Sequence, residues 1–288
     1  MAGLVRAPRR PPGWAAPGPV PAGPRGRPEL SPADDEDLCY LAGDWRLFQK
    51  RRGHRFSLDD LITAWIATRA LARDASGLAI DLGCGLGSVL LMVAWRQLAM
   101  TCLGIEAQAD RAALGRRSIA YNGVDDRCRI IDGDLRDGIA DVAPHSAALV
   151  TGTPPYFPRG SGTESDKPHA MPCRFELRGG IEAYLAAAAS LVADDGRVVV
   201  CSAAIEAPRV IAGAAQANLA IAEHWDVVPR EGKAPLVMVD VLVPAIHGTS
   251  ARPVHRAITV RDRAGQWTPE FRSVRDDLGM PSEPPARR

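Results

Sequence analysis

The chain has 288 residues, and its 35 Lys+Arg against 34 Asp+Glu leave a formal net charge of +1. No global field draws such a chain to a polyanion or a membrane, so any nucleic-acid partner is expected to be held by a local patch. At 46% hydrophobic and 24% charged residues the composition excludes disorder throughout, and no uncharged apolar run reaches the roughly 18 residues of a spanning helix.

Residues 1–30 hold eight prolines, five glycines and five arginines, with no Ser or Thr and no acid before Glu29. Such a segment buries too little apolar surface to offset its ordering entropy, so residues 1–33 are expected to be a disordered tail whose removal leaves the melting temperature unchanged. An organelle transit peptide is the alternative reading, since it too is Arg-rich and acid-poor. Residues 34–267 are read as one domain. Residues 268–288, which mix charge and proline without periodicity, are read as a second disordered tail. The six cysteines are scattered with no C-x-x-C pair, which points to a reducing compartment with neither a disulfide framework nor a metal.

Within the domain, Ser57-Leu-Asp-Asp60 reads as a capping box opening a helix. A strand is expected at Leu78–Asp81, then a helix over Ser88–Gln97, a strand over Thr101–Glu106, and a helix over Ala109–Tyr121 closed by Asn122-Gly123. Strands follow at Arg129–Asp132 and Ala147–Thr151. A helix over Gly180–Val192, a strand at Arg197–Ser202, a helix over Ala207–Ala220, and strands at Trp225–Val228 and Leu236–Val243 complete the domain. This alternation predicts an α/β, doubly wound sheet, mostly parallel, whose last two strands pair antiparallel at the edge. In such a sheet ligands bind at the carboxyl ends of the strands.

The first of those ends reads Asp81-Leu-Gly83-Cys-Gly85-Leu-Gly87. Glycines at alternate positions let a loop turn sharply and approach a ligand with its backbone. A nicotinamide fingerprint needs a third glycine where this chain has Ser88, which argues against a dehydrogenase. The next strand ends in Glu106, whose carboxylate can accept from both hydroxyls of a ribose, and Asp134 after the third strand is placed to accept from an exocyclic amine of adenine. The acid of Asp81, Gly83, Gly85, Gly87, Glu106 and Asp134 together resemble the S-adenosylmethionine (SAM) site of the class I methyltransferases, whose fold is Rossmann-like.

After the fourth strand comes Thr151-Gly-Thr153-Pro154-Pro155-Tyr156-Phe157. In the methyltransferases that this stretch resembles, the loop reads Asn or Asp, Pro, Pro and an aromatic. The first side chain and the carbonyl of the first proline accept from a planar nitrogen, and the aromatic ring stacks on the target. The delocalised lone pair of such a nitrogen attacks a methyl sulfonium well only when its protons are held and the lone pair is aimed, and two prolines keep the carbonyls aimed. Thr153, Pro154, Pro155 and Tyr156 are therefore expected to be the catalytic loop. Thr153 departs from the pattern by offering a shorter hydroxyl.

Leu41-Ala-Gly43-Asp44, Phe48-Gln49 and Gly53-His-Arg55-Phe56-Ser57-Leu58-Asp59, with the run Pro229–Leu236, are similar to the opening and closing segments of the bacterial tRNA valine adenine methyltransferases. The resemblance covers about Asp37 to Val260. It implies SAM as cofactor, a structured RNA such as tRNA as partner, a cytoplasmic location (mitochondrion or plastid if residues 1–30 are a transit peptide), and Gln49, Arg55 and Phe56 beside cofactor or target. Phe157, Arg159 and Arg174, in and after the reactive loop, are expected to hold a flipped nucleotide and its phosphates. Two other readings stay open: a protein glutamine-amide methyltransferase, whose loop has the same pattern, and a SAM-binding partner subunit without transfer, for which Thr153 is the motivating feature.

Overall fold

The computed structural model describes residues 3–7, 10–53, 55–156, 176, 179–245 and 252–282. Eleven strands and six helices are described. The short β1 (Leu4–Val5) and the hairpin β2 (Glu36–Tyr40) and β3 (Arg46–Lys50) form a small sheet. Then follow α1 (Leu58–Arg69), β4 (Gly77–Leu82), α2 (Ser88–Arg96), β5 (Met100–Glu106), α3 (Ala109–Asn122), β6 (Cys128–Asp132) and β7 (Ala147–Gly152). The chain continues with α4 (Ile181–Leu191), β8 (Val192–Ala203), α5 (Ala207–Gln216), β9 (Leu219–Val228), β10 (Val237–Pro244), β11 (Val254–Thr259) and α6 (Pro269–Asp277).

The large sheet has the order β6-β5-β4-β7-β8-β10-β9-β11. β4 to β8 pair parallel, and β10 alone is reversed, antiparallel to β8 on one side and β9 on the other. The expected antiparallel pair is present, and β11 adds outside it, parallel to β9. Alternate strand residues feed two cores: Ala79, Cys102 and Val199 pack with α1, α2, α3 and α6, and Ile80, Leu103 and Val200 pack with α4 and α5. β4 lies between β5 and β7, where the winding direction changes, so the crevice at the carboxyl end of β4 is where a ligand belongs. Among the described residues no helix is long and apolar enough to cross a membrane.

Several elements differ from the sequence reading. The helix expected to run to Ala220 stops at Gln216, because Asn218 takes a left-handed conformation (φ 54°), and β9 begins at once. The hairpin β2–β3 was not legible as strands because Glu36, Asp37 and Gln49 are buried in it beside Leu38, Leu47 and Phe48, so no apolar alternation marks it. Asp37 is fully buried, accepting from Arg6 (2.6 Å), Arg55 (2.7 Å) and Gln49 Nε2 (3.1 Å). Burial alone would push its carboxyl up, but these donors hold it below the usual carboxylate range.

Both ends also differ from the expected tails. Thr268 caps α6 by accepting from Phe271 N, and Phe271, Val274 and Leu278 are buried against the core under α1, where Trp65 Nε1 donates to Asp277 (2.8 Å). At the other end, the described residues of the arm, 3–7 and 10–33, lie along β2, α2 and α3. β1 pairs with β2, Gly18 packs on the Trp95 indole, Gly23 N donates to Tyr121 O, and Arg117 donates to the carbonyls of Glu29 and Ser31. What composition alone hides is that such a segment can still lend backbone carbonyls, here those of Glu29 and Ser31, to an arginine, and bare backbone at Gly18 to an indole. Deleting residues 1–30 removes the Arg6 partner of a buried carboxylate. The truncated chain should lose at least about 2 kcal/mol, or roughly 4–8 °C of melting temperature, by differential scanning calorimetry. An unchanged melting temperature would restore the tail.

Candidate functional site

The loop after β4 turns through Gly83 (φ 60°), Gly85 (φ 56°) and Gly87 (φ 77°), all in the left-handed region, and Gly87 caps α2. A Cβ at Gly83 would run into the Tyr184 hydroxyl and one at Gly85 into the Arg111 guanidinium, so the loop lies as close to its neighbours as bare backbone allows. Glu106, 5% exposed at the end of β5, accepts from Gly85 N (2.8 Å) and Gln108 N (2.7 Å). These bonds fix its carboxylate at the rim and hold the loop to the next strand.

A cavity of about 360 Å³ opens there, within the range of small-molecule and cofactor sites. Gly83, Gly85, Glu106, Asp134, Thr153 and Pro155 all line it. Thus four of the residues expected to hold the cofactor, Gly83, Gly85, Glu106 and Asp134, and two of the reactive loop, Thr153 and Pro155, face one space. Asp134 accepts from Arg136 through its backbone N (3.0 Å) and its guanidinium (2.9 and 2.7 Å). Phe56 also lines the cavity, as the resemblance implied, whereas Gln49 and Arg55 are engaged with Asp37.

Four expected site residues stand behind the wall. Gly87 and Pro154 are buried and do not line the cavity, and Asp81 lies beneath the loop, accepting from Thr151 Oγ1 (2.7 Å). Tyr156 packs against the core beside α1. Phe157, Arg159 and Arg174 lie outside the described residues.

Sequence reasoning read Asp60 only as a helix cap. It does accept from Ser57 N (2.8 Å), but it also accepts from Ser88 Oγ (2.9 Å) and lines the cavity. Burial, then the charge of Asp59, pushes its carboxyl up to about 7; burial likewise raises Asp81 to about 7, with Asp60 and Glu106 adding to it against the Thr151 hydrogen bond. Arg111 and Tyr184 were missed as well, because only the fold brings α3 and α4 to the glycine loop. The floor is thus an acidic one, with Arg111 the cation lining it among the described residues.

No family model matches the chain. Curated relatives named tRNA1(Val) (adenine(37)-N6)-methyltransferase, from Yersinia pestis and Yersinia pseudotuberculosis, are 26% identical to it over 233 residues, covering 76% of this chain and 84% of theirs. A structure described as a predicted O-methyltransferase from Agrobacterium tumefaciens superposes with a TM-score of 0.60 at 18% identity, over 77% of this chain and 98% of that one. The fold is that of the class I SAM-dependent methyltransferases. Within that class the chain resembles the bacterial tRNA valine adenine methyltransferases. A putative transferase from Pyrococcus horikoshii matches at a TM-score of 0.51 and 14% identity, over 73% of this chain and 72% of its own. Four adjacent strands of the sheet each position a loop of the cavity: β4 the glycines, β5 Glu106, β6 Asp134 and β7 Thr153.

Proposed function

We propose that the chain transfers a methyl group from SAM to a nucleobase amine in RNA, tRNA in particular, in the cytoplasm. One observation carries the reading: the glycine loop, Glu106, Asp134 and the Thr153–Pro155 loop line the same cavity. The residues fit the cofactor. Gly83 and Gly85 bring bare backbone to the cavity wall, where a Cβ would meet Tyr184 and Arg111; Glu106 holds a fixed carboxylate at the rim that would accept from a ribose, and Arg111, which lines the cavity, would pair with a carboxylate. A ligand carrying an ammonium and a sulfonium would draw Asp60 and Asp81 into the ionised form that burial disfavours. SAM, when bound, supplies an electrophilic methyl group whose carbon–sulfur bond breaks to leave a neutral thioether.

The chain's part is to hold the acceptor nitrogen in line. Pro154 is buried and Pro155 stiffens the next peptide, so the carbonyls of the loop keep their direction while Thr153 presents its hydroxyl to the cavity. The nitrogen lone pair forms the bond to the methyl carbon, and the nitrogen then gives up one proton to solvent. Phe157, Arg159 and Arg174 are proposed to receive the flipped nucleotide. Tritiated SAM with total RNA and total protein tests the reading: label in RNA supports it, label in protein supports the glutamine-amide reading, and tight binding without label supports a partner subunit.

Glu106→Ala removes a charge-assisted acceptor and leaves two backbone N–H groups unpaired. Its affinity for S-adenosylhomocysteine should fall by about 2 kcal/mol, about 30-fold, in calorimetric titration. Unchanged affinity would exclude a ribose contact.

A further inference from the structure

The first turn of α1 carries two adjacent carboxylates that reach different loops. Asp60 takes Ser88 Oγ at the start of α2 and lines the cavity, whereas Asp59 accepts from the Tyr156 hydroxyl at 2.8 Å. Asp59 is itself steadied by the Ser57 hydroxyl. The Tyr156 oxygen also lies 3.2 Å from Cys201 Sγ at the end of β8. Its ring packs on the α1 side of the core and does not line the cavity. A side chain held by its hydroxyl from two elements is an anchor.

Building on the proposed function, we infer that Asp59 is a positioning residue: by accepting from Tyr156 it fixes the Thr153–Tyr156 loop against the cofactor loop, with the Tyr156 hydroxyl as the anchor. The span is short. Gly152 is held in β7 by pairing with Leu82 of β4 and Val200 of β8, so clamping Tyr156 leaves only Thr153 and two φ-locked prolines between fixed ends. Placing the acceptor loop then depends on the same helical turn that braces the cofactor loop through Ser88.

Tyr156→Phe keeps the ring and removes only the hydroxyl. With saturating SAM, single-turnover transfer to RNA should slow by about 10- to 100-fold, the cost of an acceptor displaced by a fraction of an ångström, with the RNA KM and S-adenosylhomocysteine affinity within twofold. Asp59→Ala should match it, the double variant should be no slower than either, and Asp59→Asn, which keeps an acceptor oxygen, should recover most of the loss. Amide exchange of the peptide spanning Gly152–Tyr156 should quicken in Tyr156→Phe. A wild-type rate in Tyr156→Phe, a raised RNA KM with kcat unchanged, or losses that multiply in the double variant would overturn the inference. Should Asp59→Ala fail to fold, Tyr156→Phe and Asp59→Asn decide it. If the wild type methylates neither RNA nor protein, the functional reading falls while the exchange measurement still judges the anchor, which unchanged exchange would refute.

Discussion

Replacing Asp81 by Asn should stabilise the ligand-free protein at pH 8 by up to about 4 kcal/mol while weakening its hold on a cationic cofactor. Asp81 is 3% exposed, and burial with neighbouring acids raises its carboxyl to about 7 from about 3.9 in the unfolded chain. Between those values the native state keeps a proton that the unfolded state releases. Stability therefore falls as pH rises from about 4 to about 7 and is level above it, at about 1.36 kcal/mol per unit of difference. Asparagine cannot ionise, yet its amide oxygen still accepts from Thr151 Oγ1. His224, whose pKa is raised chiefly by its hydrogen bond to Asp240, loses its contribution in the same direction, as pH rises through its folded value, but equally in mutant and wild type. Urea unfolding of both at pH 8 and pH 5 checks the argument: the advantage of Asp81→Asn should shrink toward pH 5, and an advantage independent of pH would sink it. The loss of affinity follows because a bound ammonium and sulfonium favour the ionised carboxyl that the empty fold disfavours.

The same buried acids mark where sequence was readable and where it was not. The strands flanking the winding switch are apolar runs between glycine-rich or capped turns, and the structure places them within about two residues of expectation; Gly123 takes the left-handed cap conformation (φ 72°) that Asn122-Gly123 signalled. The glycine loop, Glu106, Asp134 and Thr153 were legible because each follows a strand end, and strand ends of a parallel sheet converge on one rim. Elements whose burial no apolar periodicity announces were not. β2 and β3 bury Asp37 and Gln49 beside Leu38, Leu47 and Phe48, and α6 buries Phe271 and Val274 among charges. Asp60 shows the limit at the site itself: a capping residue is recognisable from spacing, but its second oxygen's bond to Ser88, 28 positions away, exists only in the fold.

Thr153 is where the family pattern and this chain part, and Thr153→Asn is expected to accelerate transfer to a nucleobase amine by about 10-fold or more. Thr153 lines the cavity beside Pro155 and Phe56, and the loop that carries it is held at both ends, so a change of side chain alters the acceptor group and not the backbone. A hydroxyl is one atom shorter than an amide and rotates between donor and acceptor, so it holds an amine proton less firmly than a carboxamide oxygen aimed from the same backbone. One aimed hydrogen bond in a reacting site is worth roughly 100- to 1000-fold in rate, and recovering part of it accounts for the expected gain. Single-turnover transfer to the best RNA acceptor found is the measurement. A mutant tenfold slower would mean that the pocket is built around the threonine hydroxyl, with another acceptor matched to it, and an unchanged rate would mean that the proline carbonyls alone hold the amine.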